Sequence, residues 1–497
     1  MKHARLLPVA LLCAALTAFA QTNISGVWLL STPNPDGTTH DQFLNLKQQG
    51  NTLTGNVSYN YRQMDIREGT VNGNKFHFLA GRGRRYTLFD GTLEGDYLVV
   101  DTKSADGRMN NHGEARRSTF EAMAPPKPLP LPALHAVPDN GLARTPPMGW
   151  NSWNHFHTTI DDKTVREIAD AMISSGMKDA GYIYVNIDDS WELGRDADGN
   201  ITTNKKFPDM KALADYVHSK GLKIGLYSSP GPKTCGGYEG SFGHEEADAR
   251  MYAKWGFDYL KYDWCSAGAI YPDTDMQPVY QKMGDALRST GQPIVFSLCQ
   301  YGREDVWNWG AKVSGNLWRT TGDISDNWKS MSGIAFKQLS IAPYATIGHW
   351  NDPDMLEVGN GGMSDEEYRT HMSLWAMLRA PLLAGNDIRS MNQATKAILM
   401  NRDVIAIDQD PRGEPAQLAK TDGMVEIWTR PLEGNATALA LFNKDEQPDT
   451  IKVSWHDLKL KTPEKARDLW AHKDAAVTPD GYTANVPAHG TVLLKLQ

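Results

Sequence analysis

Between Ile24 and Met123, apolar and polar positions alternate in short runs. Phe43 to Lys47, Thr52 to Val57, Lys75 to Leu79 and Tyr97 to Val100 each put every second side chain on one face. Gly50-Asn51, Asn72 to Asn74 and Glu94 to Asp96 separate the runs with turn residues. This pattern predicts a small antiparallel β barrel or sandwich over residues 21–124. Pro125 to Pro138 (PPKPLPLPALHAVP) then reads as an extended, semi-rigid linker, residues 125–140.

From Thr145 the period changes to that of helices alternating with buried strands. Val165, Ile168, Ala169, Met172 and Ile173 fall at helical spacing, Gly176 and Gly181 follow, and Tyr182 to Ile187 reads as a strand. Met210, Leu213, Ala214 and Val217 repeat the pattern, ending at Gly221 before the strand Leu222 to Tyr227. Glu245 to Trp255 leads into Tyr259 to Tyr262, and Val279 to Leu287, with Gly291, leads into Ile294 to Leu298. Further strands are expected near Leu317, at Ala345 to His349 and at Leu382 to Ala384. With Met148 to Trp150 as the first they number eight, about 20 to 40 residues apart, the βα rhythm of a TIM barrel. The barrel is placed at residues 141–409. An open doubly wound sheet is the competing reading, but no glycine-rich phosphate loop opens any of these helices. Beyond Gln409 the short runs Val425 to Trp428, Ala438 to Phe442, Thr450 to Val453 and Thr491 to Leu494 predict an antiparallel β-sandwich, residues 410–497. The fold class is therefore α/β, a (β/α)8 barrel with β domains before and after it.

The N-terminus changes the expected location. Lys2 and Arg5 precede an apolar run from Leu6 to Phe19, and Ala18-Phe19-Ala20 has the small-x-small pattern of a signal-peptidase site. Residues 1–20 are read as a signal peptide, and the mature chain is expected in the periplasm or outside the cell. No later run reaches the roughly 20 apolar residues of a membrane helix, so no membrane association is expected after cleavage. Cys235, Cys265 and Cys299 remain in a compartment that permits disulfides, and one pair with one free thiol is the simplest arithmetic. A net charge of −8 gives no electrostatic reason to expect a nucleic-acid partner. The sequence does not fix the oligomeric state.

The candidate chemistry lies at the ends of the predicted barrel strands. In chain order these are Trp150 to Trp153, Asp188 with Asp189, Tyr227, Lys261 with Asp263, and Cys299 with Gln300. Arg319 to Asp323 and then Asn351, Asp352 and Asp354 complete the series. Each has a structural alternative taken singly: the acids could cap loops, Arg319 could sit in an ion pair, and the tryptophans could be core. Together they would leave much buried charge without a purpose, and in a TIM barrel these ends converge on one face. Carboxylates, one Lys, one Arg and aromatic walls suit a neutral polyhydroxylated ligand. Two of the acids could cleave a glycosidic bond, one as nucleophile and one as proton donor. A metal is the rival use of so many carboxylates, but His155 and His349 are isolated from the acid clusters, so neither metal nor other cofactor is expected.

Five motifs carry a resemblance: TPPMGWNSWNHF at Thr145 to Phe156, YVNIDDSW at Tyr184 to Trp191, KIGLYSSPGPKTC at Lys223 to Cys235, YLKYDWC at Tyr259 to Cys265, and WNDPDML at Trp350 to Leu356. In this order they resemble glycoside hydrolase family 27, the α-galactosidase (melibiase) family, over residues 145–497 but not over the N-terminal β domain. The resemblance implies a retaining mechanism with Asp263 as nucleophile and Asp323 as acid/base, Asp326 being the fallback acid. It implies that Asp188 and Asp189 bind the hydroxyls at positions 6 and 4 of a galactosyl ring, Lys261 those at 3 and 4, and Arg319 those at 2 and 3. Trp153 and Tyr227 would form walls, Asp354 would complete the rim, and Cys235 and Cys265 would be joined in a disulfide at the pocket mouth. Lys261 is expected to keep Asp263 ionised, and Asp323 to become harder to ionise in a pocket shared with another acid.

Two departures bear on specificity. Gln300 stands where typical members have Glu beside the 2-hydroxyl, and neither it nor Tyr301 is small enough to suggest room for an acetamido group. Asp188, in place of a longer Glu, favours a ligand with a 6-hydroxymethyl group over a pentose. Gly315 stands where a partner for Cys299 would be expected, which leaves Cys299 as a buried free thiol. The implied function is an exported exo-acting α-galactosidase taking a terminal α-galactoside. The alternatives are an α-N-acetylgalactosaminidase, a β-L-arabinopyranosidase, or an inactive galactoside-binding barrel. The N-terminal domain shows no catalytic constellation, and binding of a polysaccharide is one reading of it.

Overall fold

A computed structural model describes residues 23–83, 85–107 and 110–497; the expected signal peptide lies outside the described residues. The chain divides into two compact units, one running to Pro33 with Thr39–Ala124, the other comprising Asn34–Thr38 and Pro125–Gln497.

The first unit is a closed barrel of eight antiparallel strands, each paired with its sequence neighbours, the last pairing back to the first. Alternation sends Trp28, Leu30, Leu44, Phe78, Phe89 and Leu98 into one core. Closure rather than a sandwich removes both sheet edges. Glycines with positive φ, Gly50, Gly73 and Gly95, make its tight turns.

In the second unit an eight-stranded parallel sheet runs Met148–Asn151, Tyr184–Asn186, Lys223–Ser228, Tyr259–Asp263, Val295–Cys299, Leu317–Arg319, Trp350–Asp352 and Leu382–Ala384. Strands one and eight pair directly. The remaining gap is closed by a single parallel bridge from Leu356 to Ala384. Helices Asp162–Ser174, Met210–Ser219, Glu245–Trp255 and Met276–Ser289 lie between successive strands, and the first two start at Asp161 and Asp209, whose carboxylates accept backbone N–H bonds. Ile173, expected on the apolar stripe, is 40% exposed: the stripe ends with Met172. The seventh strand also differs from expectation. Ala345 to His349 is no strand; Thr346 and His349 pair across a tight turn in which Gly348 has φ 87°, and the strand follows at Trp350.

Residues after the barrel form sheets of six and two antiparallel strands. One apolar face, with Val425, Leu439, Ile451 and Leu494, fills the sandwich interior. The other, with Trp428, Ala440, Phe442 and Leu493, joins the barrel's own core. No helix among the described residues is long and apolar enough to cross a membrane.

Candidate active site

The C-terminal ends of the barrel strands surround a small, partly open cavity of about 60 Å³. Its lining brings together Trp153, Asp188, Asp189, Tyr227, Lys261, Asp263, Arg319, Asp323 and Asp354 from the expected set. Asn154, Cys235, Tyr301 and Met355 also face it. Gln300 does not: its side chain is fully buried, and neither amide atom has a hydrogen-bond partner. Tyr301 occupies the cavity wall after strand five in its place.

The acids are held by short local geometry. Asp188 follows strand two, where its Oδ2 accepts from Asn151 Nδ2 at 2.8 Å and from Lys261 Nζ at 2.8 Å. Asp189 accepts from the N–H of Ser190 at 2.8 Å and of Gly236 at 2.6 Å. Burial pushes the Asp189 carboxyl up to about 7, against hydrogen bonds from Thr234 and Gly236 that favour its charge. Lys261 thus forms its ion pair across strand three with the acid beyond strand two, although its charge also acts on Asp263 two residues on. Burial works against its charge, and Asp188, Cys299 and Asp263 together more than offset this, so the ammonium stays charged.

Asp263 ends strand four, buried, between two phenols. Tyr301 donates to its Oδ1 at 2.6 Å and Tyr227 donates to Oδ2 at 3.3 Å. Burial raises the Asp263 carboxyl above its ordinary value, outweighing Lys261, Tyr301 and Arg319. Lys261 favours the charge, as expected, and more than any other group does, but burial outweighs it. Arg319, ending strand six, reaches Asp354 at 2.9 Å and Asp323 at 3.2 Å. The expected closed pocket around Asp323 is absent, since its side chain is 70% exposed. Asp354 is fixed with φ 96° by the backbone N–H groups of Ile324 and Met355, at 2.9 and 2.8 Å. Asp326, the fallback acid, is engaged by Tyr368 and Gly362 and does not line the cavity.

Cys235 and Cys265 form a disulfide with Cα atoms 5.0 Å apart. Cys299 is free and buried. Among the described residues one trio could offer ligands to a metal, Cys235, Asp263 and Cys265, and its two sulfurs are bonded to each other. The residues that sequence reasoning left out had partial signals. Asn154 lies inside the WNSWN motif, Met355 follows Asp354, and Tyr301 directly follows a strand end.

A (β/α)8 barrel whose strand ends hold two carboxylates in one small cavity, among further hydroxyl-binding acids, defines a glycoside hydrolase. The sequence model described as alpha galactosidase A matches residues 145–410, and that of the alpha galactosidase C-terminal beta sandwich domain matches residues 422–496. The chain belongs to this α-galactosidase (melibiase) family. An alpha-galactosidase of Cyamopsis tetragonoloba is 50% identical over 71% of this chain and 86% of its own. Alpha-galactosidase I from Mortierella vinacea superposes with a TM-score of 0.70 at 38% identity, over 72% of this chain and all but 2% of its own (98% covered). The Saccharomyces cerevisiae alpha-galactosidase solved with raffinose gives 0.66 at 29% identity, over 73% of this chain and 100% of that one.

Proposed function

We propose that this chain is an exported, retaining, exo-acting α-galactosidase with Asp263 as nucleophile and Asp323 as acid/base. The observation that carries the reading is the shared cavity of Asp263 and Asp323 in a chain of this family. An Asp263 oxygen bonds to the anomeric carbon while the glycosidic C–O bond breaks, its electron pair leaving with the aglycone oxygen. That oxygen takes the Asp323 proton. In the second step water gives a proton to Asp323, its oxygen bonds to the anomeric carbon, and the ester bond to Asp263 breaks to restore the carboxylate.

The buried position of Asp263 and the open position of Asp323 suit these roles. A nucleophile works best where water is excluded, whereas the acid/base must meet both the leaving group and the incoming water. The paired Asp188 and Lys261, with Asp189, give the ring's hydroxyls two acceptors and a cationic donor. Export rests on the N-terminal pattern of Lys2, Arg5 and Leu6 to Phe19.

Initial rates on p-nitrophenyl α-galactoside, α-N-acetylgalactosaminide and β-L-arabinopyranoside test the assignment. The α-galactoside should lead, with Asp263→Ala and Asp323→Ala losing nearly all of that rate. Another leading glycoside would overturn the specificity, and full activity in either variant would overturn its role. Cell fractionation should place the chain outside the cytoplasm.

A further inference from the structure

We propose that Tyr301 is a positioning residue for the Asp263 carboxylate: its hydroxyl fixes Oδ1, leaves Oδ2 to attack, and stabilises the carboxylate as it leaves in the second step. This rests on Asp263 being the nucleophile, as proposed above. The two phenols at that carboxylate are not equivalent. Tyr301 donates at 2.6 Å, the length of a strong charge-assisted bond, and Tyr227 only at 3.3 Å. Burial and the nearby Asp263 push the Tyr301 phenol far up, so it remains a donor.

The backbone supports the placement. Tyr301 has φ 63°, a left-handed conformation that costs a bulky residue energy and is kept where the surroundings impose it. Gly302 follows with φ 78°, and a Cβ there would lie 2.2 Å from the carbonyl oxygen of Thr320. This turn rotates Gln300 out of the cavity and Tyr301 into it. The hydroxyl also lies 3.7 Å from Cys235 Sγ, and the ring centroid 5.8 Å from the Arg319 guanidinium, so the phenol is held on two further sides.

The chemical consequence differs between the two half-reactions. When Oδ2 carries the sugar, Oδ1 is a neutral ester carbonyl and the phenol bonds it weakly. As the ester breaks, negative charge returns to Asp263 and the bond strengthens. Tyr301 therefore helps deglycosylation more than glycosylation. It also favours the ionised free carboxylate, opposing the burial that raises it.

Other groups act on Asp263 as well. Lys261 and Arg319 favour its charge, and Asp188 opposes it. Asp263 in turn raises Tyr227 and the Cys299 thiol, to which Asp323 also contributes. Burial and Asp188 raise the nearby Asp189 to about 7. Tyr301 also contributes to the Tyr227 shift, and Tyr301→Phe removes that hydroxyl while leaving Lys261, Arg319 and Asp188 in place.

The test is the pH dependence of kcat and kcat/KM for p-nitrophenyl α-galactoside in the parent and Tyr301→Phe. Both proteins are also labelled with 2-deoxy-2-fluoro-α-galactosyl fluoride, with the labelled peptide identified by mass spectrometry and melting temperatures recorded. The label should fall on Asp263 in both. Losing one hydrogen bond to a charged group should lower kcat about tenfold or more, with KM falling alongside it so that kcat/KM near the optimum changes little. The acidic limb of kcat/KM should move up by about one pH unit. An unmoved limb with unchanged kcat would overturn the inference, as would equal losses in kcat and kcat/KM with the limb in place. In both cases a label on Asp263 would leave the nucleophile intact. A label on a different carboxylate would overturn the nucleophile and the inference together.

Discussion

The two ends of the catalytic barrel are made by the same strands and filled in opposite ways. At the N-terminal end the first residues of five strands, Tyr184, Tyr259, Val295, Leu317 and Trp350, pack with Ala345 into one apolar plug. At the C-terminal end, strands four, six and seven finish in Asp263, Arg319 and Asp352, all buried, with Asp188 and Asp354 just beyond strand ends. Strand four passes from Tyr259 to Asp263 in five residues. Burial raises Asp189 to about 7, Asp352 to about 6 and Glu357 to about 7 at the polar end. Charge buried against its own solvation is kept where it does chemistry, and the plug at the other end gives the packing that tolerates it.

Substitutions at the two ends should separate activity from stability. The largest effect is expected at the polar end: Asp263→Ala and Asp323→Ala should each lower kcat/KM about a thousandfold or more with the melting temperature held or raised. Next is the plug. Trp350, 2% exposed with its indole N–H on the Ala143 carbonyl at 2.7 Å, should cost about 3 to 5 kcal/mol as Trp350→Ala, while kcat per folded molecule is kept. Chemical denaturation with active-site titration separates the two quantities.

Smaller changes sharpen the contrast at the polar end. Replacing Cys235 and Cys265 together by Ser opens a 30-residue loop and should cost about 2 to 4 kcal/mol in urea melts, with KM for the α-galactoside rising because Cys235 lines the cavity. The smallest expected effect is a slope. The folded Asp189 keeps a proton that the unfolded chain releases, so its contribution to stability is full below about pH 4 and is lost as pH rises through about 7. The slope is at most about 1.4 kcal/mol per pH unit. Asp189→Asn should flatten it in urea melts taken from pH 4 to 8, and an unchanged slope would contradict the assignment.

Much of this organisation is legible in the sequence, because period, glycine stops and strand-end residues are local features. The βα rhythm marks out the barrel, and the recurrence of acids at strand ends marks its chemical face. The exceptions come from geometry that no single residue announces. Ala345 to His349 has the composition of a strand, yet Gly348 closes a turn there and Trp350 begins the strand because its indole completes the plug. Lys261 and Asp263 share a strand face at i and i+2, but a lysine side chain is long enough to reach past strand three to the end of strand two, where Asp188 accepts its charge. Gln300 follows its strand end directly, and a change of one residue in the backbone path reverses which side chain faces the cavity. The left-handed Tyr301 makes that change, and a tyrosine carries no sequence signal for positive φ.

The most direct test of the central claim, that Asp263 and Asp323 run a double displacement on an α-galactoside, is the anomer first released. Proton NMR during early hydrolysis of p-nitrophenyl α-galactoside should show α-galactose appearing first and the β anomer growing only by mutarotation. β-Galactose as the first product would mean a single displacement by water, and would contradict a covalent intermediate on Asp263.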